Sequence, residues 1–213
     1  MGSALKTLAQ KIASCNLCAD RFAATHSRHT PRPISHLSEK ARILIASQAP
    51  GARAHASGIF FDDPSGDRLR AWLGVDRATF YAPHSFAIVP MGFCFPGYDA
   101  KGSDLPPPPI CAQTWRTEVL AALPGIDLTL LIGGYSQRWH LGREATRGGV
   151  TQTVAAFNDP DAPILCLPHP SWRNTAWLKK NPWFEAEVVP ELQARVRALL
   201  ALPGAGETGT PTP

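Results

Sequence analysis

Four short apolar runs, each closed by turn residues, constrain this chain more than any other feature: Arg42–Ser47, Ser85–Val89, Leu128–Ile132 and Ala162–Leu167. An unbroken apolar run of this length, bounded by Pro and Gly, is the pattern of a strand buried on both faces. The segments between them have helical spacing. Leu5, Leu8 and Ile12 open the chain on one such face, and a second helix ends near Leu73. Ile110–Leu123 places Trp115, Val119 and Leu120 or Leu123 on one side, and Tyr135–Leu141 starts another helix. Phe184–Leu200 carries Val188, Leu192, Val196, Leu199 and Leu200 inward to cover the sheet. Strands alternating with helices need crossover connections, so the expected fold class is α/β with a parallel, doubly wound sheet.

In such sheets ligands bind outside the carboxyl ends of the strands, which makes the residues after each run the candidates for chemistry. Gln48-Ala49-Pro50-Gly51 follows the first run as a tight turn with exposed N–H groups, suited to a phosphate or a carbonyl oxygen. Pro90-Met91-Gly92-Phe93 leads from the second run to Cys94. After the fourth, Pro168 and Pro170 force a stiff bend that presents His169, Ser171, Arg173 and Asn174 to solvent. Phe60 and Phe61 are adjacent and cannot easily share one core, so one of them is expected to face the crevice.

With 213 residues, 44% of them hydrophobic, the chain can bury a substantial core, and one domain is expected over 1–203 with a frayed tail over 204–213. A net charge of +4 favours a polyanionic partner only weakly. No run of about 18 apolar residues is present and the N-terminus reads as a polar-faced helix, so a soluble, cytoplasmic protein is expected. Pro106 to Pro109, inside the loop 96–109, reads as a stiff polyproline strut.

Of the five cysteines, Cys166 lies within the fourth run and reads as a small core residue. Cys15-x-x-Cys18, at the end of the first helix, has the gap that lets two thiolates reach one metal. The same gap fits a redox pair, but the βαβ context for that is absent. Cys94 and Cys111 flank the proline-rich loop, which makes four candidate ligands and one bystander.

Taken together, Ser47-Gln-Ala-Pro-Gly51, Gly58-Ile-Phe-Phe61, Cys94 and His169-Pro-Ser171 resemble the uracil-DNA glycosylase superfamily, most of all its bacterial and archaeal iron–sulfur branch. The resemblance implies a three-layer α/β/α fold with a central four-stranded parallel sheet. It implies hydrolysis of the N-glycosidic bond of uracil, or another deaminated base, flipped out of DNA to leave an abasic site. Phe61 matches the aromatic that stacks on the base, with the alternative of simple core packing. Gln48, Ala49 and the Pro50-Gly51 turn match the water-activating loop below the sugar. His169 matches the histidine that stabilises charge on the departing base. Ser171, Arg173 and Asn174 fall where the family grips phosphates. Trp172 would reach the DNA, as apolar wedges do in distorted duplexes, and Trp177 would pack.

The cysteines match the same branch. Cys15, Cys18, Cys94 and Cys111 correspond to the ligands of a [4Fe–4S] cluster with a structural role, clamping the first helix to the loop before Cys111. On ligand type alone, tetrahedral zinc suits the four thiolates equally. A rival zinc set is Cys15, Cys18, His26 and His29, and a metal-free reduced site is the third possibility. The expected partner is uracil-containing DNA, with no membrane and a monomeric protein.

Two residues depart from the family pattern. Gln48 stands where the branch has an acid, so Asp62 or Asp63 is expected to supply the carboxylate. Pro90 stands where the family reads the uracil edge with asparagine, so selectivity would come from backbone groups near Met91 and Gly92, or the substrate differs. These departures keep a second reading open, a lesion-binding protein with little turnover or one that traps DNA covalently through His169. A third is an α/β hydrolase or nucleotide-binding protein unrelated to repair.

Overall fold

The computed structural model of the protein describes residues Gly2–Ala201, and the tail expected over 204–213 lies outside them. In chain order the elements are α1 (Ser3–Ala13), α2 (Ala19–Ala23), β1 (Ile43–Ala46), α3 (Ala52–Ser57), α4 (Pro64–Leu73), α5 (Arg77–Phe80) and β2 (Phe86–Ile88). They continue with α6 (Pro109–Ala121), β3 (Leu128–Ile132), α7 (Gly134–Ala145), α8 (Gly149–Ala156), β4 (Ile164–Leu167), α9 (Thr175–Lys180) and α10 (Val189–Leu199). The strands form one four-stranded, wholly parallel sheet in the order β2-β1-β3-β4. Its register sets Ile43 beside Phe86 and Leu128, and Leu131 beside Cys166.

Side chains that alternate across the sheet separate the two helix layers. Leu44, Ala87 and Val89 pack with Leu5, Leu8 and Ile12 of α1 and Val119 of α6. Ile43, Ile45, Phe86 and Ile88 belong to the larger core with Leu69 and Trp72 of α4 and Leu192 and Val196 of α10. Burying each such side chain stabilises by roughly 1.5–3 kcal/mol, so the sheet needs both layers. The result is the expected three-layer α/β/α arrangement, with Cys166 fully buried in the core.

Three local expectations are corrected. The first helix stops at Ala13, and Cys18 sits at the start of the separate short helix α2. The final helical segment is not uniform: Phe184–Val188 forms a π-helical turn before α10. Pro190 explains the break, because its missing N–H removes a rung of the α-helical ladder. Finally, Phe60 and Phe61 do share one core, 4% and 5% exposed with ring centroids 4.9 Å apart, and both still border the crevice at the strand ends. Phe61 has φ 61°, and this left-handed turn of the backbone lets two consecutive side chains enter one core.

Candidate active site

The carboxyl ends of β1 and β4 lie on either side of β3, and the loops that leave them build the site. Beyond β1 the ladder continues for two more rungs, since Met91 N–H donates to the Ser47 carbonyl at 2.8 Å and Gly92 N–H to the Gln48 carbonyl at 3.0 Å. These bonds pin the Gln48–Gly51 turn. They also narrow an expectation: both N–H groups are spent within the fold, so of the backbone groups of Met91 and Gly92 only the carbonyls could meet a base edge. Pro90 is closed off as well, with its carbonyl and that of Val89 accepting from the guanidinium of Arg116 at 3.3 and 3.0 Å.

The end of β4 is fixed by a residue that sequence reasoning missed. Gln137, 1% exposed, donates to the carbonyls of Leu131 and Leu167 at 3.3 and 3.0 Å and ties β3 to β4 just before the bend. Gly133 has φ 78°, a left-handed backbone that favours glycine, and a methyl group placed on it would be in ordinary contact with His169 Cβ at 3.5 Å. His169 is half-buried rather than presented to solvent. Ser171 N–H donates to its Nδ1 at 3.2 Å, which leaves the proton of the neutral ring on Nε2. Burial lowers the His169 pKa, partly opposed by the carboxylate of Asp63, so the ring is neutral at physiological pH. Asn174, expected to reach DNA, lines the cleft and donates to the His169 carbonyl at 2.7 Å. Arg68 of α4 holds the same bend through the carbonyls of Pro170 and Ser171 at 3.3 and 3.0 Å. No local pattern announces that contact, because it spans more than one hundred positions of chain.

The third wall comes from the stretch 61–66. Asp63 caps α4, its Oδ1 accepting from Gly66 N–H at 2.9 Å. A methyl group placed on Gly66 would stand 1.8 Å from the Phe61 carbonyl oxygen, a separation that only glycine permits. That carbonyl also accepts from buried Arg70 at 3.3 Å, which secures the strained Phe61 backbone. The second oxygen of Asp63 faces the Gln48–Gly51 turn, 3.6 Å from where a Gly51 Cβ would be. Asp62, in contrast, pairs with Arg77 at 2.9 Å, and that hydrogen bond holds its carboxyl below the usual range. Of the two candidate carboxylates the fold brings Asp63 alone to the cleft.

Gln48, Ala49, Pro50, Gly51, Phe61, Asp63, His169, Ser171, Arg173 and Asn174 thus line one cleft, with about 1110 Å³ of empty space including its mouth. The Gln48 carboxamide has no hydrogen-bond partner among the described residues and is free to meet a ligand. Arg173 is not free. It faces Asp104 across the cleft at 3.6 Å and lies over the Trp172 ring at 5.6 Å, while Trp172 itself is 69% exposed. Met91 and Gly92 stand outside this cleft.

Against this geometry, the family model of the uracil DNA glycosylase superfamily matches residues 34–193, which include every residue of the cleft. The chain belongs to that superfamily. Membership points to glycosylase-type hydrolysis acting on DNA as the general activity. The match begins beyond Cys15 and Cys18, so it carries the superfamily and not one branch of it. Among the described residues no helix is long and apolar enough to cross a membrane.

Cys15, Cys18, Cys94 and Cys111 line a single small apolar cavity of about 20 Å³ with Ile12, Phe22, Phe93 and Trp115. Burial pushes the Cys94 thiol up to about 12 and the Cys111 thiol to about 11, so each stays protonated unless a cation offsets the desolvation. Among the described residues no group of three or more His, Cys, Asp or Glu side chains closes on a point that could hold a metal ion. Yet four thiols around one apolar cavity are a donor set that fits a soft, cysteine-ligated group. The rival set with His26 and His29 is not assembled. Both ring nitrogens of His29 are engaged, with Ser27 at 3.1 Å and the Phe95 carbonyl at 2.9 Å, and His26 is exposed.

Proposed function

We propose that the chain hydrolyses the N-glycosidic bond of uracil, or another deaminated base, turned out of DNA. The observation that carries this reading is the convergence of His169, Asp63, Phe61 and Gln48 on one cleft at the strand ends. The flipped base lies against the apolar wall that includes Phe61, and Gln48 meets its edge with the amide that the fold leaves unused. As the C1′–N bond breaks, its electron pair passes to the base, and His169 Nε2–H donates to the oxygen where that charge collects. The sugar becomes oxocarbenium-like. A water held between Gln48 and Asp63 then adds to C1′ and gives its proton to the carboxylate, leaving an abasic sugar and the free base.

Excision of one uracil from single-stranded and duplex DNA, read by alkaline strand cleavage, tests this. His169→Ala should lower the rate about a hundredfold or more, the scale of removing a preorganised donor. Asp63→Asn keeps a good helix cap and should retain the fold while slowing excision. Full activity in both variants would overturn the assignment. Retention of uracil-containing DNA without release of base would favour the lesion-binding reading instead. A covalent bond to DNA through His169 is disfavoured by its tautomer: a protonated Nε2 is a donor and not a nucleophile.

The four thiols would hold a [4Fe–4S] cluster, which supplies no step of the hydrolysis and would clamp α1 to the loop before α6. Anaerobically purified protein should show a broad thiolate-to-iron absorption band and about four iron atoms per chain. Stoichiometric zinc, or no metal at all, would refute it.

A further inference from the structure

A second, larger groove opens from the active cleft on the side away from Phe61, meeting it at Gln48, His169 and Asn174. Tyr135, Trp139 and Trp177 line it together with Arg21, Arg138 and Arg143, and no Asp or Glu side chain does. None of the three arginines has an ion pair among the described residues. Tyr135 and Trp139 are 48% and 43% exposed, large apolar surface left facing water. They are four residues apart on α7 and share a face. Gly142, with φ 82° and ψ 171°, then interrupts the helix, and Arg143 beyond the break lines the same groove. Trp177 is held rigidly, its Nε1 bonded to Thr151 at 2.8 Å and its ring against Phe184. Pro106 to Pro109 supply a stiff apolar wall without backbone donors.

We propose that this groove is a track for single-stranded DNA, and that the strand flanking the flipped nucleotide runs along it. The inference deepens the glycosylase reading and rests on it for the identity of the site. Unpaired cations beside exposed aromatic faces are the two elements of sequence-tolerant single-strand binding, the first tracking phosphates and the second stacking bases. A duplex keeps its bases stacked on one another and cannot use the aromatic faces, whereas an unpaired strand can. The substrate class is therefore uracil in single-stranded or locally melted DNA.

The test is fluorescence anisotropy with a labelled oligothymidylate of about 15 nucleotides, within the range of known single-strand sites, and a duplex of equal length. Wild type should bind the single strand more tightly. The Tyr135→Ala/Trp139→Ala double variant should lose about tenfold or more of that affinity and change little on duplex, and Trp139→Phe should restore most of the Trp139 share. Arg138→Ala/Arg143→Ala should flatten the dependence of affinity on salt by about 0.7 per lost phosphate contact. Equal losses on both DNAs, no loss in the double variant, or tighter wild-type binding to duplex would overturn the proposal. Binding of an oligouridylate RNA more than about tenfold tighter would reassign the groove to RNA. Because oligothymidylate contains no uracil, this affinity is read independently of excision: a track that binds in a protein that excises nothing would refute the glycosylase reading alone.

Discussion

Gly66 shows how much of this site hangs on a single missing methyl group. The carbonyl of Phe61 occupies the space a Cβ would fill, and the same glycine donates the N–H that anchors Asp63. Gly66→Ala should therefore destabilise the fold by about 2 kcal/mol, in the range of forced overpacking, and should displace Phe61 and Asp63 together. Urea unfolding would read the first effect. Loss of excision beyond what the fraction folded explains would read the second. The positive φ of Phe61 belongs to the same unit, and nothing in the dipeptide Phe-Phe signals it.

At the scale of elements, the cleft is spanned by an ion pair between the loop after β2 and the bend after β4. The Asp104 side chain there is 39% exposed, and its partial burial raises its pKa despite Arg173 beside it. The pair occupies the guanidinium that would otherwise meet a phosphate. Asp104→Asn should free Arg173, raise affinity for DNA several-fold at low salt and steepen its salt dependence by up to about one unit. Unchanged affinity and slope would show that Arg173 does not face the phosphates. The bend itself owes its shape to α4 through Arg68, so the element after β1 positions the catalytic element after β4.

Across the whole molecule, neutral histidines set the response to acid. Burial is the first cause lowering the pKa of His36, His55, His140 and His169, with His140 brought to about 4 beside the buried Arg116 cation. The unfolded chain binds protons near pH 6.5 that the fold rejects, so stability is complete above that pH and falls as pH drops below it. For His140 the loss runs from about pH 6.5 down to about 4 and amounts to at most about 3 kcal/mol. Urea midpoints should decline steeply between pH 7 and 5, and His140→Gln should shallow that decline. A flat profile would sink this account.

The apolar runs alone determined the strand count, the alternation with helices and hence the parallel α/β class, because a strand buried on both faces leaves no choice about its composition. They also placed His169 and Gln48 at strand ends, since that position is fixed by chain order. Three-dimensional packing decided the rest. Asp63 rather than Asp62 reaches the cleft because one caps α4 while the other meets Arg77. The N–H groups of Met91 and Gly92 are unavailable because they extend the ladder from β1. Gln137, Arg68 and Arg116 act through partners tens of positions or more away, so each looks like an ordinary surface residue until the sheet brings those partners near. Local sequence records which groups want burial or a turn; which hydrogen-bonding groups remain unspent is a property of contacts that exist only once the layers have closed.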